Sequence, residues 1–211
     1  MKRLGITLAL VFACALAAAP ALDALSPETQ QKPTKASLRE DMRKLWTDHV
    51  VWTREYIIAA AADAPDQKAA ADRLMKNQED IGAAIGGIYG KAAGDQLTVL
   101  LKDHISIAVD VIKAAKASDK TGLAAADAKW QKNGEDIADF LSKANPNWPR
   151  ATLVDMMKTH LSTTTTEVTA RLNKDWAADV RAFDEVYRHI LMMSDALAEG
   201  IAKQFPAKFA G

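Results

Sequence analysis

Lys76-Asn77-Gln78-Glu79-Asp80-Ile81 recurs 56 residues later as Lys132-Asn133-Gly134-Glu135-Asp136-Ile137, and this recurrence decides how the chain is read. A phrase repeated at that distance marks a duplicated unit the size of two helices and a turn. Apolar positions keep the same register: Leu74, Trp130 and Val186; Ile81, Ile137 and Met193; Ile85, Leu141 and Leu197. Three αα-hairpins are expected, the third the most diverged. The fold class that follows is all-α, a bundle of about six helices.

Working outward, each boundary has its own chemistry. Ser37 followed by Glu40 is a capping-box pattern that opens the first helix. Asp63-Ala64-Pro65 separates the first two helices, Gly86-Gly87 and Gly90 to Gly94 end the second, and Asp119 to Gly122 divides the third from the fourth. Asn145-Pro146-Asn147-Trp148-Pro149 is a firm turn, and Asn173-Lys174-Asp175 caps the last helix. The expected helices are 38–62, 66–88, 95–117, 122–143, 150–173 and 176–203. No stretch alternates with period two long enough to argue a strand.

The 211 residues suffice for one domain with a sizeable core. Met1-Lys2-Arg3, an apolar run from Leu4 to Leu16 and the small residues Ala17 to Ala21 read as a secretory signal peptide over 1–24. Residues 25–36 read as a polar, Pro-containing leader, 37–205 as a single helical domain and 206–211 as a tail. The expected location is periplasmic or extracellular, with no membrane span after cleavage. Cys14, the only cysteine, falls in the signal, so disulfides and thiolate chemistry are excluded from the mature domain. Balanced charge, 27 basic against 27 acidic residues, gives no basic stripe for nucleic acid.

The four histidines, His49, His104, His160 and His189, each fall on a different helix. Helical phase puts all four on apolar faces: with Leu45, Trp52, Thr53 and Tyr56; with Leu97, Leu101, Ala108 and Val111; with Leu153, Met157 and Thr164; and with Val186, Met193 and Leu197. Asn77 and Asn133 take equivalent inward positions on the second and fourth helices. Asp80 and Asp136 lie one turn further on at the edge, while Glu79 and Glu135 face solvent. Counting from each turn places Asp80, Asp136 and the histidines within about one helical turn, roughly 5.4 Å, of a common height.

Buried imidazole, amide and carboxylate groups cost free energy unless they bond one another or a ligand. A transition metal resolves that cost, and iron, manganese, copper and zinc suit imidazole and carboxylate ligands, with iron favoured. The expected ligands are His49, His104, His160 and His189. Asp80 and Asp136 would ligate or accept from ligands, and Asn77 and Asn133 would orient them. The Glu-x-x-His motif of di-iron bundles is absent, which argues against a ferritin-like site. Thr53 and Thr164, four residues after a histidine, bond a neighbouring backbone, their own preceding turn or a water. Glu167 and Arg171 suggest an internal ion pair, and the tryptophans core packing.

The segments Leu45-Trp46-Thr47-Asp48-His49-Val50-Val51-Trp52-Thr53-Arg54, Arg73-Leu74-Met75-Lys76-Asn77-Gln78-Glu79-Asp80-Ile81-Gly82 and Gln204-Phe205-Pro206 resemble a family of bacterial exported all-helical proteins. The resemblance implies export and helical structure, and it assigns no activity.

Three functions remain open at this point. One is an exported metal-binding bundle for binding, storage or oxidase-like chemistry. Another is a noncovalent haem or small-ligand binder, since no Cys-x-x-Cys-His is present. The third is a structural or interaction bundle whose polar layer fixes helix register. No phosphate loop, His-Glu-x-x-His or Ser-His-Asp order supports a conventional hydrolase or transferase.

Overall fold

The computed structural model describes residues 32–210. The signal-like segment, Cys14 and most of the leader lie outside these described residues. Six helices follow in order: α1 (Lys35–Ala62), α2 (Gln67–Tyr89), α3 (Lys91–Lys116), α4 (Lys120–Ala144), α5 (Arg150–Leu172) and α6 (Trp176–Gln204). Among the described residues there is no strand, only an isolated bridge between Thr34 and Ala210 that pairs the two ends of the domain. No helix there is long and apolar enough to cross a membrane.

Short connections make successive helices antiparallel neighbours. Each helix packs on the next, and α6 returns to α1, so the six close into a ring. The odd-numbered helices run in the same direction, and α1, α3 and α5 also touch one another across the middle. Six helices around one axis would otherwise leave a wide lumen; an inner triangle of α1, α3 and α5 fills it. These are the helices that carry His49, His104 and His160.

The helix ends explain where the chain departs from expectation. Thr34, not Ser37, caps α1: its hydroxyl accepts from Ser37 N, and the Ser37 hydroxyl accepts from Thr34 N. Ser37 is therefore the third residue of a capping box rather than its first. The second helix runs through Gly86 and Gly87 as its expected span of 66–88 requires, but α3 begins at Lys91 rather than 95, so Gly94 lies inside it and Gly90 alone breaks the chain, at φ 96°. Gly82 and Gly94 serve packing instead, because a Cβ on Gly94 would stand 2.5 Å from the Gly82 carbonyl oxygen. Asp119 and Asp175 cap α4 and α6 by accepting from Gly122 N and Ala178 N.

At the α4–α5 turn, buried Asn145 donates to the Tyr89 hydroxyl at 2.8 Å, which donates to Gln204 Oε1, while Gln204 donates to Ala144 O. This chain ties the turn to the ends of α2 and α6. The core face of α1 is rotated from the expected one: Met42, Trp46, His49 and Val50 are buried, whereas Leu45 and Trp52 are half-buried. Trp52 instead lies under the Arg73 guanidinium, 5.2 Å from its ring centre.

Candidate functional site

All four histidines are buried, at 2%, 3%, 5% and 7% exposure for His49, His104, His160 and His189. Their helical neighbours explain this. On α5, Leu153, Met157, His160, Leu161, Thr164 and Val168 recur three and four residues apart, so a face that must be apolar to pack carries an imidazole in its middle. His160 sits at the centre of the cluster, with its ring centroid 5.7 Å from His49, 6.0 Å from His104 and 6.4 Å from His189.

The imidazoles are held unequally. Asn133 donates through Nδ2 to Leu100 O, so its Oδ1 is the acceptor that meets His104 Nδ1 at 2.7 Å, and that nitrogen carries the proton. His104 Nε2 then accepts from Trp130 Nε1 at 3.1 Å, leaving both nitrogens occupied. In α2 the two duties of Asn133 are divided. Asn77 Nδ2 donates to Leu45 O, and Gln78 Nε2 lies 3.3 Å from His49 Nδ1. Gln78 Nε2 also faces Leu74 O at 2.8 Å and Asn77 Oδ1 at 3.1 Å. Two hydrogens serve three acceptors, and the imidazole is the most distant of them.

His189 lies one 56-residue step beyond Asn133 and takes its place, with Nε2 2.9 Å from Met156 O, to which it donates. Leu45, Leu100 and Met156 each stand four residues before a histidine, so one inter-helix bond recurs in all three helix pairs. His160 differs from the others. Its Nδ1 is buried with no hydrogen-bond partner, as are Trp46 Nε1 and Gln78 Oε1 beside the layer. Buried polar groups are ordinarily paired, so an unpaired cluster calls for an explanation.

Two small cavities flank this layer. One, of about 20 Å³, is lined by Trp46, His49, His104, Met157, His160 and Met193, among others. The other, of about 60 Å³, meets the same three imidazoles from the opposite side and is walled by residues such as Thr53, Ile105, Ile112 and Thr164. Both exceed the roughly 10–15 Å³ that one water requires. Thr53 and Thr164 turn their hydroxyls back to His49 O and His160 O.

Burial governs protonation here. It lowers the His49 imidazole to about 3, helped by repulsion from His104. It lowers His104 to about 4 against the pull of Asn133. His160 is pushed well below the usual histidine range by burial and then by its three imidazole neighbours. These rings are neutral at physiological pH, the form that offers a lone pair to a metal or a hydrogen-bond donor.

The structure brings His49, His104, His160 and His189 together, with Asn77 and Asn133 supporting them through the backbone of the neighbouring helix. It does not bring Asp80 or Asp136. Asp80 pairs with Lys76 and Asp136 with Lys132, one turn back on their own helices, at 37% and 44% side-chain exposure. An edge position lets a carboxylate swing to the adjacent lysine and stay hydrated, which is cheaper than burial. Glu79 also stays outside, paired with Lys102. Among the described residues no group of three or more His, Asp or Glu side chains is placed so that it could hold a metal ion. Gln78 and Trp130 are partners that the sequence pattern did not announce. The signal for Gln78 was arithmetic: it follows His49 by 29 residues, as Asn133 follows His104.

Further along the same helices, Glu167 does not pair with Arg171. It accepts from Arg54 Nη1 at 2.6 Å, while Arg171 donates to Asp179 at 3.1 Å and Arg54 bridges both carboxylates. Arg54 also lies over the Phe183 ring. Burial pushes Glu167 up to about 7 against the pull of Arg54.

No protein family, curated protein or solved structure matches the chain.

Proposed function

We propose that this is an exported helical-bundle protein that binds a transition metal at the imidazole layer, with His160 as the central ligand and His49 beside it. The observation that carries this is the buried His160 Nδ1, without a partner and surrounded by three other imidazoles. A neutral imidazole in an apolar interior keeps an unused lone pair at a cost, and a metal ion uses it. His104 has both nitrogens engaged and acts as a wall of the site rather than a ligand. Asp80 and Asp136 belong to surface ion pairs, so the donors are imidazoles without a carboxylate. Such a set suits copper, zinc, nickel or iron, and fits manganese poorly. Export is supported by the positive, apolar and small-residue pattern of the first 24 residues.

A second reading, a metal-free layer that fixes helix register, is favoured by the inter-helix bonds to Leu45 O, Leu100 O and Met156 O. It accounts for His104 and the asparagines but leaves His160 without a purpose. A haem group finds little support, because cavities of about 20 and 60 Å³ fall far below the roughly 300–1,000 Å³ of small-molecule pockets.

Elemental analysis of the protein purified without a histidine tag tests the proposal. Close to one transition-metal ion per chain, lost on His160→Leu substitution, is the expected result. No retained or rebound metal would favour the register layer.

A further inference from the structure

Building on the metal-binding proposal, we infer that the ion is monovalent copper, held in the smaller cavity by His160 and His49 with the Met157 and Met193 thioethers. The cavity wall carries the chemistry. His49, His104, His160, Met157 and Met193 line it together, and no charged side chain does. Moving an ion out of water costs free energy that grows with the square of its charge, so a monovalent ion is far cheaper to hold there than a divalent one. Without a carboxylate, nothing in the wall neutralises a second positive charge.

Donor softness points the same way. Thioethers select monovalent copper, and imidazole binds copper well, whereas carboxylate and water favour the harder divalent ions. Coordination is undemanding, because monovalent copper has a filled d shell and no fixed geometric preference, so two imidazoles and two thioethers need not meet an ideal polyhedron. Among the described residues no group of three or more His, Asp or Glu side chains could hold an ion by itself, so the thioethers are part of the site. His160 Nδ1 is buried without a partner, and in the tautomer protonated at Nε2 it offers its lone pair to the ion. His49 is the imidazole most easily recruited to it, because its 3.3 Å contact with Gln78 is the loosest of the three that Gln78 makes.

Competition for monovalent copper against a chromophoric copper(I) chelator, under anaerobic reducing conditions, tests this with the full untagged mature protein, alongside a zinc titration. The variants are His160→Leu and the double variant Met157→Leu with Met193→Leu, a volume-conserving exchange that keeps the core filled. One equivalent of copper should bind more tightly than zinc. The methionine variant should lose at least the roughly 10–100-fold in copper affinity that even an outer-shell partner is worth, with zinc binding unchanged. X-ray absorption of the copper-loaded wild-type protein should show sulfur in the first shell, a readout that does not depend on how any variant folds. If zinc or divalent copper binds as tightly through His160, and the methionine variant and sulfur signal show nothing, monovalent copper is overturned while a metal site stands. If no ion binds the wild-type protein, both proposals fall.

Discussion

Two polar clusters are buried on the same three helices, and they are built on opposite terms. Arg54, Glu167, Asp179 and Arg171 form a charged group whose ionic contacts are answered within the protein. His49, His160 and His189 stand five, seven and ten residues away along α1, α5 and α6, and form a neutral group that leaves a nitrogen unanswered and two cavities beside it. The first closes on itself and holds the helices together. The second is left open, with an unpartnered nitrogen and empty space at its centre. Within the second, His104 repeats the closed pattern and His160 the open one.

Breaking the closed cluster should have the largest effect. Arg54→Ala strips Glu167 of its cation and leaves Asp179 only Arg171, so about 3–5 kcal/mol of stability should disappear in urea unfolding. A loss below about 1 kcal/mol would mean that the cluster is solvated and the contrast with the histidine layer is misplaced.

Acid should strike the two clusters in opposite senses. His49 and His104 titrate near 3 and 4 in the folded chain and His160 well below its ordinary value, while unfolded histidine titrates near 6.5. The stability they contribute is complete above about pH 6.5 and is lost as pH falls through that value towards 4 and 3, at up to about 1.4 kcal/mol per pH unit for each ring. Glu167, raised to about 7, works the other way: stability falls as pH rises from about 4.5 to 7, by a similar slope from one group. Three groups outweigh one, so urea midpoints measured from pH 7 to 5 should decrease. A flat or rising profile would show that the imidazoles are already hydrated in the folded state.

His104→Leu sharpens the contrast inside the layer. It orphans Asn133 Oδ1 and Trp130 Nε1, and should cost about 1–3 kcal/mol by chemical denaturation. Asn77→Leu should cost less, about 1 kcal/mol, because α2 divides between Asn77 and Gln78 what Asn133 does alone. Equal losses at the two sites would erase that division.

Much of this was readable in the residues. The helix count, the all-α class and the meeting of four histidines follow from apolar spacing, since an imidazole on a packing face has nowhere to go but inward. The fate of the aspartates was hidden, because phase places Asp80 and Asp136 at an edge without saying which way a flexible carboxylate turns. Lys76 and Lys132, one turn back, decided it. Gln78 and Trp130 were missed because hydrogen-bond partners depend on the exact rotation of each helix. The face of α1 turned enough to exchange Leu45 and Trp52 for Trp46 and Val50. The pairing of Glu167 with Arg54 rather than Arg171 rests on which helices become neighbours, and that emerges only when α1 and α5 meet inside the ring.

Thermal unfolding of the wild-type protein and of His160→Leu, each without added metal and with copper(I) or zinc, is the most direct test of the open layer. Leucine replaces an unpartnered imidazole with an apolar side chain, so the metal-free variant should be at least as stable as wild type. Metal at about 100 times its dissociation constant should then raise the wild-type stability by about 2.7 kcal/mol and leave the variant unmoved. A metal-free variant that is several kcal/mol weaker, with metal shifting neither protein, would contradict the account and make His160 a structural residue like His104.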